Sequence, residues 1–471
     1  MEGTLKSYSA LIFAMPAIIC LAQPPVPSQA LGGVWKATLS AGRAKFRLVL
    51  HLTPAADGGW AGTLDSLDQS AVGLKLDKIT LNGQIVTFTI VQAGARFEGF
   101  LDGTGTSIAG NWIQGASLPL TFTRGSDKQA TLCRPQEPKV PFPYNVEAIS
   151  FPGGAKDVTL SATLTLPIGK GPFPAVVLVA GSGPNDRDEK IFGHRPFLVL
   201  ADYLTRKGIA VLRYDKRGIG QSTGIYSTAT TFDFAADAEQ ALAFLNTRPD
   251  VNRKMLGILG HSEGGVVGPI VASRNPATTF LVLLAGPAVS GEELLYTQSE
   301  TLAKAQGAPD SFIVDQRKKQ ERIYSALKQH TDATQDQLRT IISTDLPPET
   351  RKESEAAVTA QARQLDSPWF RTFLTLDPRP FLRQVKIPVL AVFGEKDIQV
   401  SEAQNRPEME HAFLAAGNPR GQVLVLPGLN HLFQPASTGA TSEYGDIEIT
   451  MAPAALETVS AWILALSVSA S

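Results

Sequence analysis

From Gly32 to Arg124 apolar and polar residues alternate in short runs, such as Lys45-Phe46-Arg47-Leu48-Val49-Leu50-His51-Leu52 and Ile85-Val86-Thr87-Phe88-Thr89-Ile90. A period of two places one set of side chains on a buried face and the other in water, as in an antiparallel strand. Asp57-Gly58-Gly59, Asn82-Gly83 and Asp102-Gly103 separate the runs as hairpin turns do. The pattern predicts a small all-β antiparallel domain over residues 31–133, a sandwich or a small barrel. Trp35, Trp60 and Trp112 fit the core of such a domain better than the wall of a ligand cavity.

The pattern changes after a proline-spaced stretch at residues 134–145, which predicts an extended, semi-rigid linker. Beyond it come continuous apolar runs: Ala175–Ala180, Met255–Ile258, Phe280–Leu284 and Val389–Phe393. Runs of this length without alternation suit strands buried on both faces. Between Gly286 and Pro388 lie roughly a hundred residues, mostly helical in pattern and rich in Gln, Lys, Glu and Ala. Within them Ser367-Pro368-Trp369-Phe370-Arg371-Thr372-Phe373-Leu374 stands out as an aromatic cluster.

A chain of 471 residues exceeds one ordinary core and suggests two domains plus an insertion. With 43 basic and 44 acidic residues, it offers no electrostatic footprint for nucleic acid or an anionic membrane. The N-terminus has Lys6 and an apolar run from Ser9 to Ala22 broken by Pro16. As helix that run rises about 21 Å, short of a bilayer core of about 30 Å. A signal peptide within residues 1–30 is expected, cleaved after Ala22 or Ala30, and with it a secreted or periplasmic protein without stable membrane insertion. Ile19 before Cys20 argues against lipidation, and cleavage would leave Cys133 without a disulfide partner. There is no phosphate-binding glycine loop and no Cys/His metal constellation, so neither a cofactor nor a metal is expected.

The chemistry concentrates in Leu259-Gly260-His261-Ser262-Glu263-Gly264-Gly265-Val266, a Gly-x-Ser-x-Gly pattern after an apolar run. After a strand it describes a sharp turn that lifts one hydroxyl above a sheet. Ser262 then needs a base, an orienting carboxylate and backbone donors for an oxyanion. Of the six histidines, His51 lies in a strand-like run, His194 precedes a helix, and His330 and His411 sit in charged helical segments. His261 is inside the turn, where its side chain is expected to point away from the serine. His431 remains, in a loop directly after Gln422-Val423-Leu424-Val425. The acid is expected off the end of Val389–Phe393: Asp397, with Glu395 as its competitor two residues earlier.

The order Ser262, Asp397, His431 is that of α/β-hydrolases. From about Val146 to Leu466 the chain resembles a secreted bacterial serine hydrolase of that superfamily, in its esterase, dienelactone-hydrolase and serine-aminopeptidase-like branch. Four motifs carry the resemblance: the Gly181–Asp188 stretch, Asp215–Ser222, the serine turn, and the Asp397/His431 pair. It implies a mostly parallel sheet flanked by helices over residues 146–471, with a helical cap at about 291–385. One oxyanion donor is expected from the backbone N–H of Glu263. By resemblance the other is that of Ser182, with Gly183 also possible. Asp215-Lys216-Arg217-Gly218 is expected to be structural, and Asp186, Arg187 and Asp188 to form a solvated or internally paired loop rather than substrate contacts. Trp369 and Phe370 are candidates for the substrate pocket.

The expected activity is hydrolysis of small to medium carboxylic esters through an acyl-enzyme. The alternatives are a serine peptidase or thioesterase, or a ligand-binding protein whose β-rich part does the binding. A small-molecule ester or peptide is the expected partner.

Overall fold

The computed structural model describes residues 31–41, 44–55, 58–66, 71–114, 116–125, 134–305, 307–331, 334–344 and 355–469. The expected leader, with Cys20, and Cys133 lie outside these residues.

The alternating half forms nine antiparallel strands: β1 (Gly33–Ala41), β2 (Ala44–Pro54), β3 (Trp60–Ser66), β4 (Ala71–Lys75), β5 (Lys78–Asn82), β6 (Ile85–Ile90), β7 (Ala95–Leu101), β8 (Ser107–Gln114) and β9 (Ala116–Arg124). Their order in the sheet is β4-β3-β2-β1-β9-β8-β7-β6-β5. The two edge strands are therefore consecutive in the chain. Between them the Leu76 N–H donates to the Gly62 carbonyl of β3, and the Asp77 N–H to the Thr89 carbonyl of β6. These bonds extend the β3–β4 and β5–β6 ladders into the connector, and the sheet forms a half-barrel. The inward positions fill the barrel: Phe88 stacks on Phe97 at 5.1 Å between ring centres, and Phe122 meets Phe97 edge-on at 5.2 Å. Trp35 and Trp112 are buried among them, and Trp60 packs against the same core.

The second sheet holds β10 (Asn145–Pro152), β11 (Thr159–Leu166), β12 (Phe173–Val179), β13 (Ala210–Tyr214), β14 (Val251–His261), β15 (Phe280–Leu284), β16 (Val389–Gly394) and β17 (Gly421–Leu426). The order is β10-β11-β13-β12-β14-β15-β16-β17, antiparallel at β10, β11 and β13 and parallel from β13 through β17. Helices α1 (Pro196–Arg206), α2 (Thr231–Thr247) and α3 (Gly264–Ala272) follow β12, β13 and β14 in the chain. Every residue of β13, β15 and β16 is buried, and β15 and β16 accordingly read as unbroken apolar runs, while β13 carries the paired Arg213. This is the α/β-hydrolase fold.

Between β15 and β16 the cap comprises α4 (Gly291–Ala305), α5 (Asp310–Gln329), α6 (Thr334–Ser343), α7 (Glu355–Leu365), α8 (Pro368–Thr375) and α9 (Arg379–Leu382). It has a small core of its own, with Tyr324, Leu327, Leu338, Ile342, Ala362 and Leu374 buried together. Helices α10 (Glu402–Ala415), α11 (Thr441–Tyr444) and α12 (Pro453–Ser469) complete the fold.

The proline-spaced stretch departs from a free spacer. Arg134 donates to the carbonyls of Phe192, Gly193, Gly445 and Ile447, and Gln136 to that of Met451. Glu137 pairs with Arg195, and Arg47 of β2 pairs with Asp446. The segment begins with a turn, the Glu137 N–H donating to the Arg134 carbonyl, and its polar side chains fasten it to the hydrolase domain.

Candidate active site

Strand β14 ends at His261 and α3 begins at Gly264, so Ser262 occupies the turn between them. Its φ is +53°, a conformation that side chains other than glycine rarely adopt. The turn accommodates it because the residues two positions away on either side, Gly260 and Gly264, have no side chains. A Cβ at Gly260 would lie 2.0 Å from the Gly264 carbonyl oxygen, and one at Gly264 2.0 Å from that of Val179. The Ser262 N–H donates to Leu284 at 2.9 Å, tying the turn to β15.

The loop after β12 approaches from the other side. A Cβ at Gly181 would meet the Ser262 Cβ at 3.1 Å. The Gly181 peptide is held at both ends: Glu189 Oε1 accepts its N–H at 2.6 Å, and Lys216 Nζ donates to its carbonyl at 2.6 Å. Asn185 Nδ2 also donates to the Gly181 and Ser182 carbonyls. Ser182 and Glu263 both border the cavity above Ser262, while the Gly183 amide faces the Tyr226 hydroxyl.

Asp397 turns off the end of β16, its N–H bonded to the Gly394 carbonyl. Its Oδ1 accepts the backbone N–H groups of Gln399 and Val400 at 2.8 and 2.9 Å. Its Oδ2 lies 2.7 Å from His431 Nδ1, and both side chains are buried. The competitor Glu395 instead accepts the Gly428 N–H at 2.7 Å, bracing the start of the histidine loop. That loop is further tied by Asn430 Oδ1, which accepts from Leu432 and Gln434.

Ser262, His431, Ser182 and Trp369 line one cavity of about 210 Å³. Apolar walls come from the cap (Leu295 of α4, Phe373 of α8). Phe370 is a correction to the sequence reading: it is not among the lining residues. It faces Tyr324 and packs against the cap core, because its neighbour Trp369 takes the position toward the sheet. Trp369 Nε1 donates to Glu263 Oε1 at 2.7 Å. Thr231 Oγ1 donates to the same oxygen at 2.7 Å, and Lys216 Nζ lies 3.4 Å from the other. Thus Glu263, the residue after Ser262, anchors the cap with its side chain.

The remaining motifs have structural partners. Arg187 makes a two-pronged pair with Asp215 and reaches Thr163 and Ser161, and Asp188 pairs with Arg213. Arg217 spans Asp237 and Asp233. Among the described residues no cluster of His, Cys, Asp and Glu could hold a metal ion, and no helix is long and apolar enough to cross a membrane.

His261 departs from the expectation that it points away from the serine. It lines the same cavity, and its ring centre lies 4.9 Å from that of His431. The periodicity of β14 shows only that position 261 is buried. Glu189 was missed altogether, since a carboxylate eight residues after Gly181 carries no local signal.

His194 is fully buried against Thr450, the Tyr444 carbonyl and Gln434, and desolvation pushes its pKa down to about 4. The unfolded chain takes up this proton near pH ~6.5. His194 therefore contributes stability fully above about pH 6.5, and that stability is lost as pH falls toward 4. The melting temperature should fall across this window, and the slope should be shallower in His194→Gln. An identical slope in the variant would assign the acid sensitivity elsewhere.

The family model of serine aminopeptidase, S33 (Hydrolase_4) matches residues 195–434, the span that contains Ser262, Asp397 and His431. The chain belongs to this family, within the α/β-hydrolase superfamily. It is 32% identical over 280 residues to esterase EstD of Thermotoga maritima, covering 59% of each chain. It is also 30% identical over 175 residues to esterase FrsA of Yersinia pestis, covering 36% of this chain and 37% of that one. The aligned part therefore spans less than two-thirds of the length of either relative. Among solved structures, the proline iminopeptidase of Mycobacterium smegmatis matches at 17% identity with a TM-score of 0.42, covering 69% of this chain and all of that one.

Proposed function

We propose that the chain is a serine ester hydrolase in which Ser262, Asp397 and His431 act as nucleophile, orienting acid and base. The observation that carries this reading is the 2.7 Å contact of Asp397 with His431 Nδ1, in the cavity lined by a serine at φ +53°. With Nδ1–H donated to Asp397, His431 Nε2 is left as the proton acceptor. Ser262 Oγ attacks the acyl carbon as Nε2 takes its proton, and the backbone N–H groups of Ser182 and Glu263 receive the developing oxyanion. Collapse of the tetrahedral adduct breaks the ester bond, and His431 returns the proton to the leaving alcohol. Water then attacks the acyl-enzyme by the same route and releases the acid. Loss of one oxyanion donor typically costs about 10²–10³ in kcat.

The esterase names of EstD and FrsA support esters over amides, and the cavity volume supports small to medium acyl groups. The family description keeps the peptidase as the second reading. A fluorophosphonate probe should label Ser262, and a p-nitrophenyl ester series should be hydrolysed faster than aminoacyl p-nitroanilides. Labelling without ester turnover, alongside anilide cleavage, would favour the peptidase. No labelling at all would remove the catalytic reading. The apolar run from Ser9 to Ala22 supports export after leader cleavage, which N-terminal sequencing of the exported protein would test.

Trp369 sits where the cap meets the catalytic turn. Trp369→Ala should change the relative kcat/KM of esters differing in acyl size by roughly 10- to 200-fold, the scale of one pocket contact. Reaction with a small fluorophosphonate should be nearly unchanged. Equal loss toward every ester and the probe would place Trp369 in the chemistry rather than in selection.

A further inference from the structure

Beside the proposed triad lies a second titratable pair that the hydrolytic steps leave unused. Both ring nitrogens of His261 face acceptors. Nδ1 lies 3.0 Å from Glu189 Oε1, and Nε2 lies 3.0 Å from the His431 carbonyl oxygen. A neutral imidazole carries one N–H, so one contact would set two lone pairs against each other. Only the imidazolium donates to both. Glu189 is 3% exposed, and its Oε2 has no protein partner among the described residues. A carboxylate so buried requires a counter-charge, and His261 is the cation in contact with it.

The same Glu189 Oε1 accepts the Gly181 N–H at 2.6 Å. The bonds therefore run from Gly181 to Glu189, from His261 to Glu189, and from His261 to the carbonyl of His431. They join the loop that carries one oxyanion donor to the loop that carries the base.

We propose that Glu189 and protonated His261 are positioning residues, an ion pair that sets the spacing between the oxyanion loop and the His431 loop. The proposal rests on the reading of Ser262, Asp397 and His431 as the hydrolytic residues. Other titratable groups facing His261 are His431, at 4.9 Å between ring centres, and Asp397 behind it. Lys216 and Glu263 lie on the far side of the Gly181 peptide and the turn. Burial lowers the His261 pKa, but the Glu189 charge and hydrogen bond, the His431 carbonyl and the Asp397 charge together raise it more, and the net shift is upward. The two acceptors facing its ring nitrogens favour the charged form in the same sense. As pH rises through the His261 pKa, one N–H is lost and the spacing relaxes, so kcat should show an alkaline limb.

The test combines kinetics with a readout that needs no turnover. In Glu189→Gln the cation loses its partner, and the alkaline limb of kcat should move to lower pH. In His261→Gln the limb should disappear and kcat should fall about 10- to 100-fold, the scale of a misplaced catalytic group, with KM little changed. An unmoved limb in Glu189→Gln would overturn the proposal. Nitrogen-15 NMR of histidine in Ser262→Ala protein should show one doubly protonated ring at pH 8, absent after Glu189→Gln in the same background. A singly protonated His261 would also overturn it, whatever the kinetics. If the wild-type protein hydrolyses no ester yet this ring is present, the hydrolytic reading fails and the ion pair stands.

Discussion

Ser262→Ala is expected to lower kcat by about 10⁶, because loss of the nucleophile alone typically removes that much. No other described side chain in the cavity can take over its role. Ser182 and Glu263 are placed to offer backbone donors, and His431 has its Nδ1 committed to Asp397. The fold should survive. The hydroxyl of Ser262 faces a cavity, and alanine meets the same backbone conformation at φ +53° with no larger side chain. A melting temperature close to that of the wild type, with hydrolysis reduced to background, is the predicted pair of results. A purified variant that retains more than a trace of ester turnover would show that the nucleophile is another group.

Asp397→Asn should lower kcat by about 10⁴, the typical effect of holding the base in the wrong tautomer. The reason is local. One side-chain oxygen would keep the Gln399 and Val400 N–H groups, so the amide NH₂ would be turned toward His431 Nδ1. Nδ1 must then accept, Nε2 carries the hydrogen, and nothing remains to take the proton of Ser262. Glu395→Gln is the control. Glu395 binds the Gly428 amide and does not touch His431, so its loss should leave turnover close to that of the wild type. If Glu395→Gln is the more damaging change, the acid has been assigned to the wrong carboxylate.

Much of this architecture was legible because two periodicities divide the chain. Alternation at Ile85–Ile90 has one physical solution, a strand wet on one face, and the β6 burial pattern follows it residue by residue. The unbroken run Phe280–Leu284 has another, a strand covered on both faces. The serine turn was legible because its glycines are required by contacts of about 2 Å with neighbouring carbonyls. The curl of the nine-stranded sheet was not, since the Leu76 and Asp77 amides that tie the β4–β5 connector to β3 and β6 look like any other turn. Nor was the choice between Trp369 and Phe370. Adjacent helical positions differ by about 100° in direction, and only the docked cap decides which one faces the sheet. Glu189 and His261 stayed hidden for a related reason. Their meaning lies in a distance of 3.0 Å across 72 sequence positions, which no local pattern encodes.

The bond from Trp369 to Glu263 has a consequence for how such a cap changes between relatives. Insertions that hang from a sheet by loops alone can be exchanged whole, like tools on a handle. This one reaches back to a carboxylate that is 1% exposed and sits immediately after Ser262. A cap transplanted from another hydrolase would need its own donor at that point, or Glu263 would be left with only the Thr231 hydroxyl and the Lys216 ammonium as partners. Recombination at the ends of the insertion is thus constrained by a residue deep inside it.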